Sequence, residues 1–189
     1  MGSALSAGRV ISVNISTGRE VAWRGRTVRT GIFKEPVAGS VVVRRLGLDG
    51  DVQADPRFHG GPDKAVYAYP SEHYAFWQGE FPERELGWGT FGENLTTEGL
   101  REEEVRIGDV LRIGTSDLEV TQPRFPCFKL GIKFGRPDII PRFLRSGRSG
   151  FYFAVRTEGV VAAGDRIEFV HRSREQLTIA GAFRRRTEE

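Results

Sequence analysis

The chain has a single cysteine, Cys127, set in Gln122-Pro123-Arg124-Phe125-Pro126-Cys127-Phe128-Lys129-Leu130, a setting suited to metal or redox chemistry. Two prolines bracket Arg124 and Phe125, so the segment reads as a stiff, extended loop leaving a strand. Arg124 and Lys129 flank the thiol, and nearby cations favour the thiolate, the form that attacks electrophiles and binds metals. The competing reading is a buried apolar cysteine packed by Phe125 and Phe128. A second cluster runs from Gly47 to Asp55 and continues as His59-Gly60-Gly61-Pro62-Asp63-Lys64. Asp and His are natural ligands or proton carriers, and glycine lets backbone approach a ligand closely. Turn chemistry alone also accounts for most of these residues, and the spacing of a calcium loop with its terminal Glu is absent. A third stretch, Gly89-Thr90-Phe91-Gly92-Glu93-Asn94-Leu95-Thr96, offers backbone amides to an anionic or heterocyclic ligand, or is an ordinary hairpin.

The elements that must position these residues are mostly strands. Runs of β type cover Arg9 to Ile15, Ser40 to Leu46, Ala65 to Tyr69, Glu104 to Ile107, Val110 to Ile113, Leu118 to Gln122, Phe151 to Thr157 and Arg166 to His171. Many alternate apolar and polar residues, as strands with one buried face do. Gly108-Asp109 and Gly164-Asp165 each precede a strand and read as one turn used twice. With 24 glycines and this many strands, a closed or strongly curved barrel avoids the exposed edges of a flat sheet. Helices are few. Ser71 is placed to cap one from His73 to about Gly79, and Pro137 to open another through Ile139, Phe143 and Leu144. Ser173-Arg174-Glu175-Gln176 fits a capping box, with Leu177, Ile179, Ala180 and Phe183 as a partial apolar face that must dock on the barrel or a neighbour, or fray. The expected organisation is a barrel over residues 8–171 and a helical tail over 172–189.

Composition narrows the partners. One cysteine forms no internal disulfide, so no oxidising compartment is needed and a cytoplasmic location is expected. Basic residues number 28, all but Lys34, Lys64, Lys129 and Lys133 being arginine, and outside Arg184-Arg185-Arg186 they are interleaved with acids. A nucleic-acid partner would call for a clustered basic stripe, and a membrane span for roughly 20 consecutive apolar residues; neither partner is expected. Walker-type, dinucleotide, His-Glu-x-x-His and serine-hydrolase signatures are missing, and histidines only at 59, 73 and 171 make a Cys/His zinc site improbable.

In order along the chain, Gly31-Ile32-Phe33-Lys34, Gly47 to Asp55, His59 to Tyr67, Phe91 to Leu95, Ile107-Gly108-Asp109, Gln122 to Cys127, Ser146 to Gly150 and Gly164-Asp165 together resemble the MOSC domain of stand-alone YiiM type. The resemblance covers about residues 8–171. It implies a mainly β MOSC-type barrel and a pterin-dithiolene molybdenum cofactor. It further implies detoxifying reduction of N-hydroxylated compounds, such as hydroxylaminopurines and amidoximes, with electrons from a separate reductase. It places Cys127 as metal ligand and catalytic centre, with His59 and Asp55 beside it. Lys34, Arg124, Asn94 and Arg148 would lie near the cofactor, and His59, Gly60, Gly61, Asp63, Lys64, Gly92 and Glu93 would complete its site. Pyridoxal phosphate binding is a further family association. Relatives of this type continue into a small helical region beyond the tail, which bears on pocket closure or donor docking. The alternatives are a non-catalytic cofactor-binding or sulfur-carrier module using Cys127, and an interaction domain in which Cys127 is inert. Oligomeric state is left open.

Overall fold

The computed structural model describes residues 6–53 and 60–188. Its strands are β1 (Ser6–Ile15), β2 (Arg19–Trp23), β3 (Arg26–Thr30), β4 (Glu35–Pro36), β5 (Ser40–Arg44), β6 (Gly47–Leu48), β7 (Val66–Pro70), β8 (Leu95–Glu98), β9 (Val110–Ile113), β10 (Ser116–Pro123), β11 (Phe151–Thr157), β12 (Gly159–Ala162) and β13 (Arg166–His171). Its helices are α1 (His73–Glu80), α2 (Phe128–Phe134), α3 (Ile139–Ser146) and α4 (Ile179–Thr187). Seven strands pair in the order β13-β9-β10-β11-β7-β8-β1, and β1 pairs back onto β13, closing the barrel. Closure leaves no edge in that sheet, which is why short strands broken by glycine suffice. The pair β7–β8 is parallel and the other barrel pairs are antiparallel. A small sheet β12-β5-β6 and a hairpin β2-β3 stand outside the barrel.

Strand β7 shows why sequence pattern and burial differ here. All five of its residues are buried, because Val66 and Ala68 point into the barrel core while Tyr67 and Tyr69 point into a second, aromatic core. That second core is roofed by α1, α2 and α3, which contribute Tyr74, Trp77, Leu130, Phe134, Ile139 and Phe143. A strand covered on both faces loses the polar half of its alternation.

The twice-used turn is present. Gly108 and Gly164 have φ of 85° and 91°, and Asp109 and Asp165 each accept a backbone N–H three residues back, from Arg106 and Ala162, both at 2.8 Å. Several expectations need correction. Glu104 to Ile107 is turn rather than strand, with Arg106 bridging to Thr178. Helix α1 forms where expected, but Ser71 does not cap it; Glu72 holds the N-cap position without a side-chain bond. The last helix begins at Ile179, not at Ser173: Thr178 caps it by accepting Gly181 N–H at 3.1 Å, while the Ser173 backbone N–H is held by buried Asp109. That tie keeps residues 173–178 alongside the barrel as extended chain. The tail then docks on the barrel, burying Ile179, Ala180 and Phe183, with Phe183 stacked on Phe125 at 5.0 Å. No helix among the described residues is long and apolar enough to cross a membrane.

Candidate functional site

Cys127 ends an extended segment and starts a helix. Its backbone (φ −122°, ψ 171°) is that of an N-cap, and its carbonyl accepts Leu130 N–H at 2.9 Å to open α2. The sequence reading of residues 122–130 as loop therefore holds only for residues 124–127: Gln122 and Pro123 end β10, and α2 starts at Phe128, since Pro126 bars a helix earlier and no proline follows before Pro137. The thiol is half-buried at the N-terminus of that helix, where backbone N–H groups and the helix dipole favour negative charge.

Cys127 lines a small hollow of about 80 Å3 and also borders an adjoining open cleft of about 800 Å3. Among the described residues, four cations, Lys34, Lys64, Arg124 and Lys129, and one carboxylate, Asp51, line the hollow. Asp51 is the hinge of the arrangement. Its two oxygens accept Lys34 Nζ at 2.5 and 2.6 Å, Asn94 Nδ2 at 2.9 Å and Ser16 N–H at 2.8 Å. The Lys34 and Asp51 side chains are 8% and 3% exposed, so this pair interacts in a low-dielectric setting. Burial pushes the Lys34 ammonium below its usual range, and Asp51 works against that shift. Asn94 is fixed in turn by β7: its Oδ1 accepts Tyr67 N–H at 3.1 Å and its own N–H bonds to the Tyr67 carbonyl at 2.8 Å.

Arg124 follows β10 with its side chain enclosed, its guanidinium over the Tyr67 and Phe143 rings at 4.9 and 5.4 Å. No carboxylate meets it among the described residues, and Nη1 is a buried donor with no hydrogen-bond partner. An orphaned buried donor costs roughly 1–3 kcal/mol, more on a charged group, which a bound anion would recover. Beside it, burial holds the Tyr152 phenol above its usual range, so that hydroxyl stays protonated.

The structure thus gathers Lys34, Lys64, Gly92, Asn94, Arg124 and Cys127 around one hollow. Asp55 and His59 lie outside the described residues. Gly60, Gly61 and Asp63 are not on the wall; Asp63 is exposed, its carbonyl accepting the Thr121 hydroxyl at 2.6 Å. Glu93 is fully buried instead: its carboxylate accepts Gly89 N–H at 2.8 Å, Phe91 N–H at 3.1 Å, the Thr96 hydroxyl at 2.9 Å and the Tyr74 hydroxyl, leaving nothing for a ligand. Arg148 sits elsewhere, its guanidinium 3.8 Å over the Phe76 ring. The two corrections have separate causes: Glu93 points inward between Gly92 and Asn94, which line the hollow, and Arg148, in the turn after α3, lines a different groove.

Tyr67 and Tyr152 join the wall without having been assigned a role there, and Lys129 and Asp51, read from sequence as a cation beside the thiol and as part of the Gly47–Asp55 cluster, join it too. Lys133 stands just behind it, donating to the carbonyls of Ile32 at 3.0 Å and Gly89 at 2.5 Å. Burial pushes its ammonium down to about 8; Glu93 opposes this, and Lys34, Arg84 and Arg19 add to it. For Lys129 and Lys133, the signal that could have found them is lysine usage. The chain has only four lysines; three line the hollow and the fourth braces it.

Comparison with known proteins gives a consistent picture. Residues 55–168 match the MOSC domain. YflK of Bacillus subtilis strain 168 is 43% identical over 175 residues, which is 93% of this chain and 79% of YflK. A protein named as a reductase from Gibberella moniliformis is 38% identical over 151 residues, 78% of this chain but only 27% of that protein. The crystal structure of YiiM from Geobacillus stearothermophilus superposes with a TM-score of 0.78 at 37% identity, covering 95% of this chain and 83% of YiiM. Nothing in these matches points to pyridoxal phosphate, and that expectation is dropped.

Proposed function

Because the chain belongs to the MOSC domain family, a family associated with the molybdenum cofactor, we propose that it binds this cofactor through Cys127 and reduces N-hydroxylated compounds with electrons from a separate reductase. The observation that carries the reading is the buried Arg124 guanidinium, which meets no carboxylate among the described residues and leaves Nη1 without a hydrogen-bond partner there, on the same hollow as the thiol. A charged cofactor phosphate suits such an arginine. Among the described residues no three His, Cys, Asp or Glu side chains gather as a cage. A thiolate, a soft donor, suits a thiophilic metal. The reductase relative fits a redox role.

When bound, the cofactor would supply a metal centre able to take up the substrate oxygen and deliver two electrons. The net change is R–NHOH + 2 e− + 2 H+ → R–NH2 + H2O, which breaks the N–O bond. The chain's own part is to hold and to protonate. Cys127 Sγ would hold the metal, and Arg124 and Lys129 would neutralise the cofactor's anionic end. Asp51 and Asn94 fix Lys34, whose Nζ proton is held less tightly than in water because burial disfavours the ammonium. That proton, with the protonated Tyr152 hydroxyl, faces the hollow where water must leave.

Elemental analysis of protein made in molybdenum-replete cells tests this directly. Wild type is expected to carry stoichiometric molybdenum and to reduce 6-hydroxylaminopurine or benzamidoxime with a viologen donor. Cys127→Ala is expected to lose both. Wild type without molybdenum would overturn the reading. Loaded protein that turns over neither substrate would leave the carrier module, in which Cys127 holds the cofactor and reduces nothing.

A further inference from the structure

Glu102 is a buried carboxylate with no part in the chemistry proposed above. It lies in the turn that follows β8, with its side chain 2% exposed. A carboxylate taken out of water is costly unless its oxygens are bonded. His73 Nε2 lies 2.8 and 3.0 Å from its two oxygens, and the oxygen farther from His73 also accepts the Gly150 N–H at 2.7 Å. Gly150 closes the turn between α3 and β11, and no larger residue fits there. Its φ is 61°, and a Cβ would collide with the Ala68 carbonyl and with the Tyr67 and Tyr69 rings. The turn is thus pressed onto β7, and Glu102 holds it there from 48 residues away.

What the turn holds in its own turn is Arg124. The Gly150 carbonyl accepts the Arg124 backbone N–H at 3.3 Å, and the Ser149 carbonyl accepts the Tyr67 hydroxyl at 2.9 Å. Tyr67 is the ring under the Arg124 guanidinium, 4.9 Å away. One end of the turn therefore fixes the arginine's backbone, and its middle fixes the platform on which the charge rests. This support matters because no carboxylate grips the guanidinium among the described residues; aromatic faces do. A ring face directs a guanidinium less sharply than a two-pronged ion pair, so the placement of ring and backbone decides where the charge stands.

We propose that Glu102 is a positioning residue for Arg124: by its reach to Gly150 it holds the turn that sets the arginine's charge beside the Cys127 thiol. The inference rests on the proposed function for the use of that charge, an anion held next to the thiol, and on the hydrogen bonds alone for the arrangement.

The test reads the charge beside the thiol in full-length protein made without molybdenum. Cys127 is the single cysteine, so alkylation reports on it alone. Rates are compared for iodoacetate, an anion, and iodoacetamide, its neutral counterpart; their ratio cancels the thiolate content that both depend on. Arg124→Gln sets the ratio without the charge. Glu102→Asp keeps the carboxylate but draws it back from Gly150 by one methylene, whereas Glu102→Gln keeps an acceptor oxygen at full reach and gives up the charge. The ratio is expected to fall about fivefold in Glu102→Asp, toward the Arg124→Gln value, and to stay near wild type in Glu102→Gln. In the Arg124→Gln background, Glu102→Asp is expected to change the ratio no further. A Glu102 that serves the fold alone would lower the melting temperature of Glu102→Asp and leave the ratio where it was, and that result overturns the proposal. So does a ratio lowered by Gln and not by Asp, since charge rather than reach would then be at work. Should Glu102→Asp not fold, Tyr67→Phe unties the platform from Ser149 instead; a lowered ratio is expected there, and an unchanged one overturns the proposal equally. Molybdenum content of the same proteins from replete cells judges the function separately. Wild type without the metal sinks the cofactor reading and leaves the alkylation result standing.

Discussion

Lys133 illustrates how a single residue ties the site to stability. Its ammonium is enclosed behind the hollow, satisfied by the Ile32 and Gly89 carbonyls, and pushed down to about 8 chiefly by burial. Below that pH the lysine is protonated in both folded and unfolded chains, and its contribution does not change. Between about 8 and 10.5 the unfolded chain binds a proton that the folded one has released, so stability rises with pH, by a total of order 3 kcal/mol. Lys34, also lowered by burial, acts in the same direction. The buried phenols of Tyr67, Tyr69, Tyr74 and Tyr152 act the opposite way above their ordinary value, because the fold keeps them protonated after the unfolded chain has ionised. Urea denaturation near pH 7 and near pH 9.5 should therefore show a smaller rise, or none, in Lys133→Met than in wild type. Parallel pH dependences in the two proteins would contradict this assignment. The residue was hard to see in advance, because nothing in Phe128-Lys129-Leu130-Gly131-Ile132-Lys133 separates a bracing lysine from a surface one. The scarcity of lysine beside 24 arginines was the available signal; arginine stays charged wherever it is put, whereas lysine's charge responds to burial.

At the scale of elements, the turn used twice serves two ends of different burial. Asp165, partly exposed, holds one N–H, that of Ala162. Asp109 is fully buried and holds both Arg106 N–H and Ser173 N–H, at 2.8 Å each, so it joins the barrel to the tail. Asp165→Ala is expected to cost about 1 kcal/mol and Asp109→Ala about 3, since the second leaves two backbone donors without partners. Equal losses in equilibrium unfolding would mean that Asp109 does not bind the tail. The turns themselves were legible because Gly-Asp before an apolar run is local chemistry. The role of Asp109 toward Ser173 was not, since it spans 64 residues. The same distinction explains the misplaced start of α4. Ser173 to Gln176 fits a cap by spacing, and a long-range contact with Asp109 takes the segment instead. The β2–β3 hairpin went unread for another reason: its strands carry charged and polar residues on both faces, and its turn, Arg24-Gly25 with φ of 51° and 74°, has glycine at only one position.

At the scale of the whole molecule, the barrel and the helical layer meet at β7 and β10–β11, and the hollow lies at that junction. A ligand bound there touches residues from β3 to β11, so its binding energy stabilises the fold as a unit. Protein loaded with the molybdenum cofactor should unfold at a higher temperature than protein from cells starved of molybdenum, by several degrees in differential scanning calorimetry. In Cys127→Ala the two preparations should melt together. A shift of equal size in that variant would place the binding energy somewhere other than the thiol.

Alternation of apolar residues, the paired Gly-Asp turns and the ordered run of motifs were sufficient to specify a closed β-barrel of MOSC type, because each depends on neighbours a few residues apart. Local chemistry singled out Cys127, Arg124 and the stretch that holds Asn94, whereas Lys34 was reached only through the family resemblance. Tertiary structure alone decided that Asp51 ties Lys34 to Asn94, that Glu93 faces inward and Arg148 away, and that Tyr152 and Lys129 complete the wall. The physical reason is direction. Sequence says what a side chain can do, whereas which side of a strand or helix it leaves from, and what lies opposite, is set by packing between elements far apart in the chain.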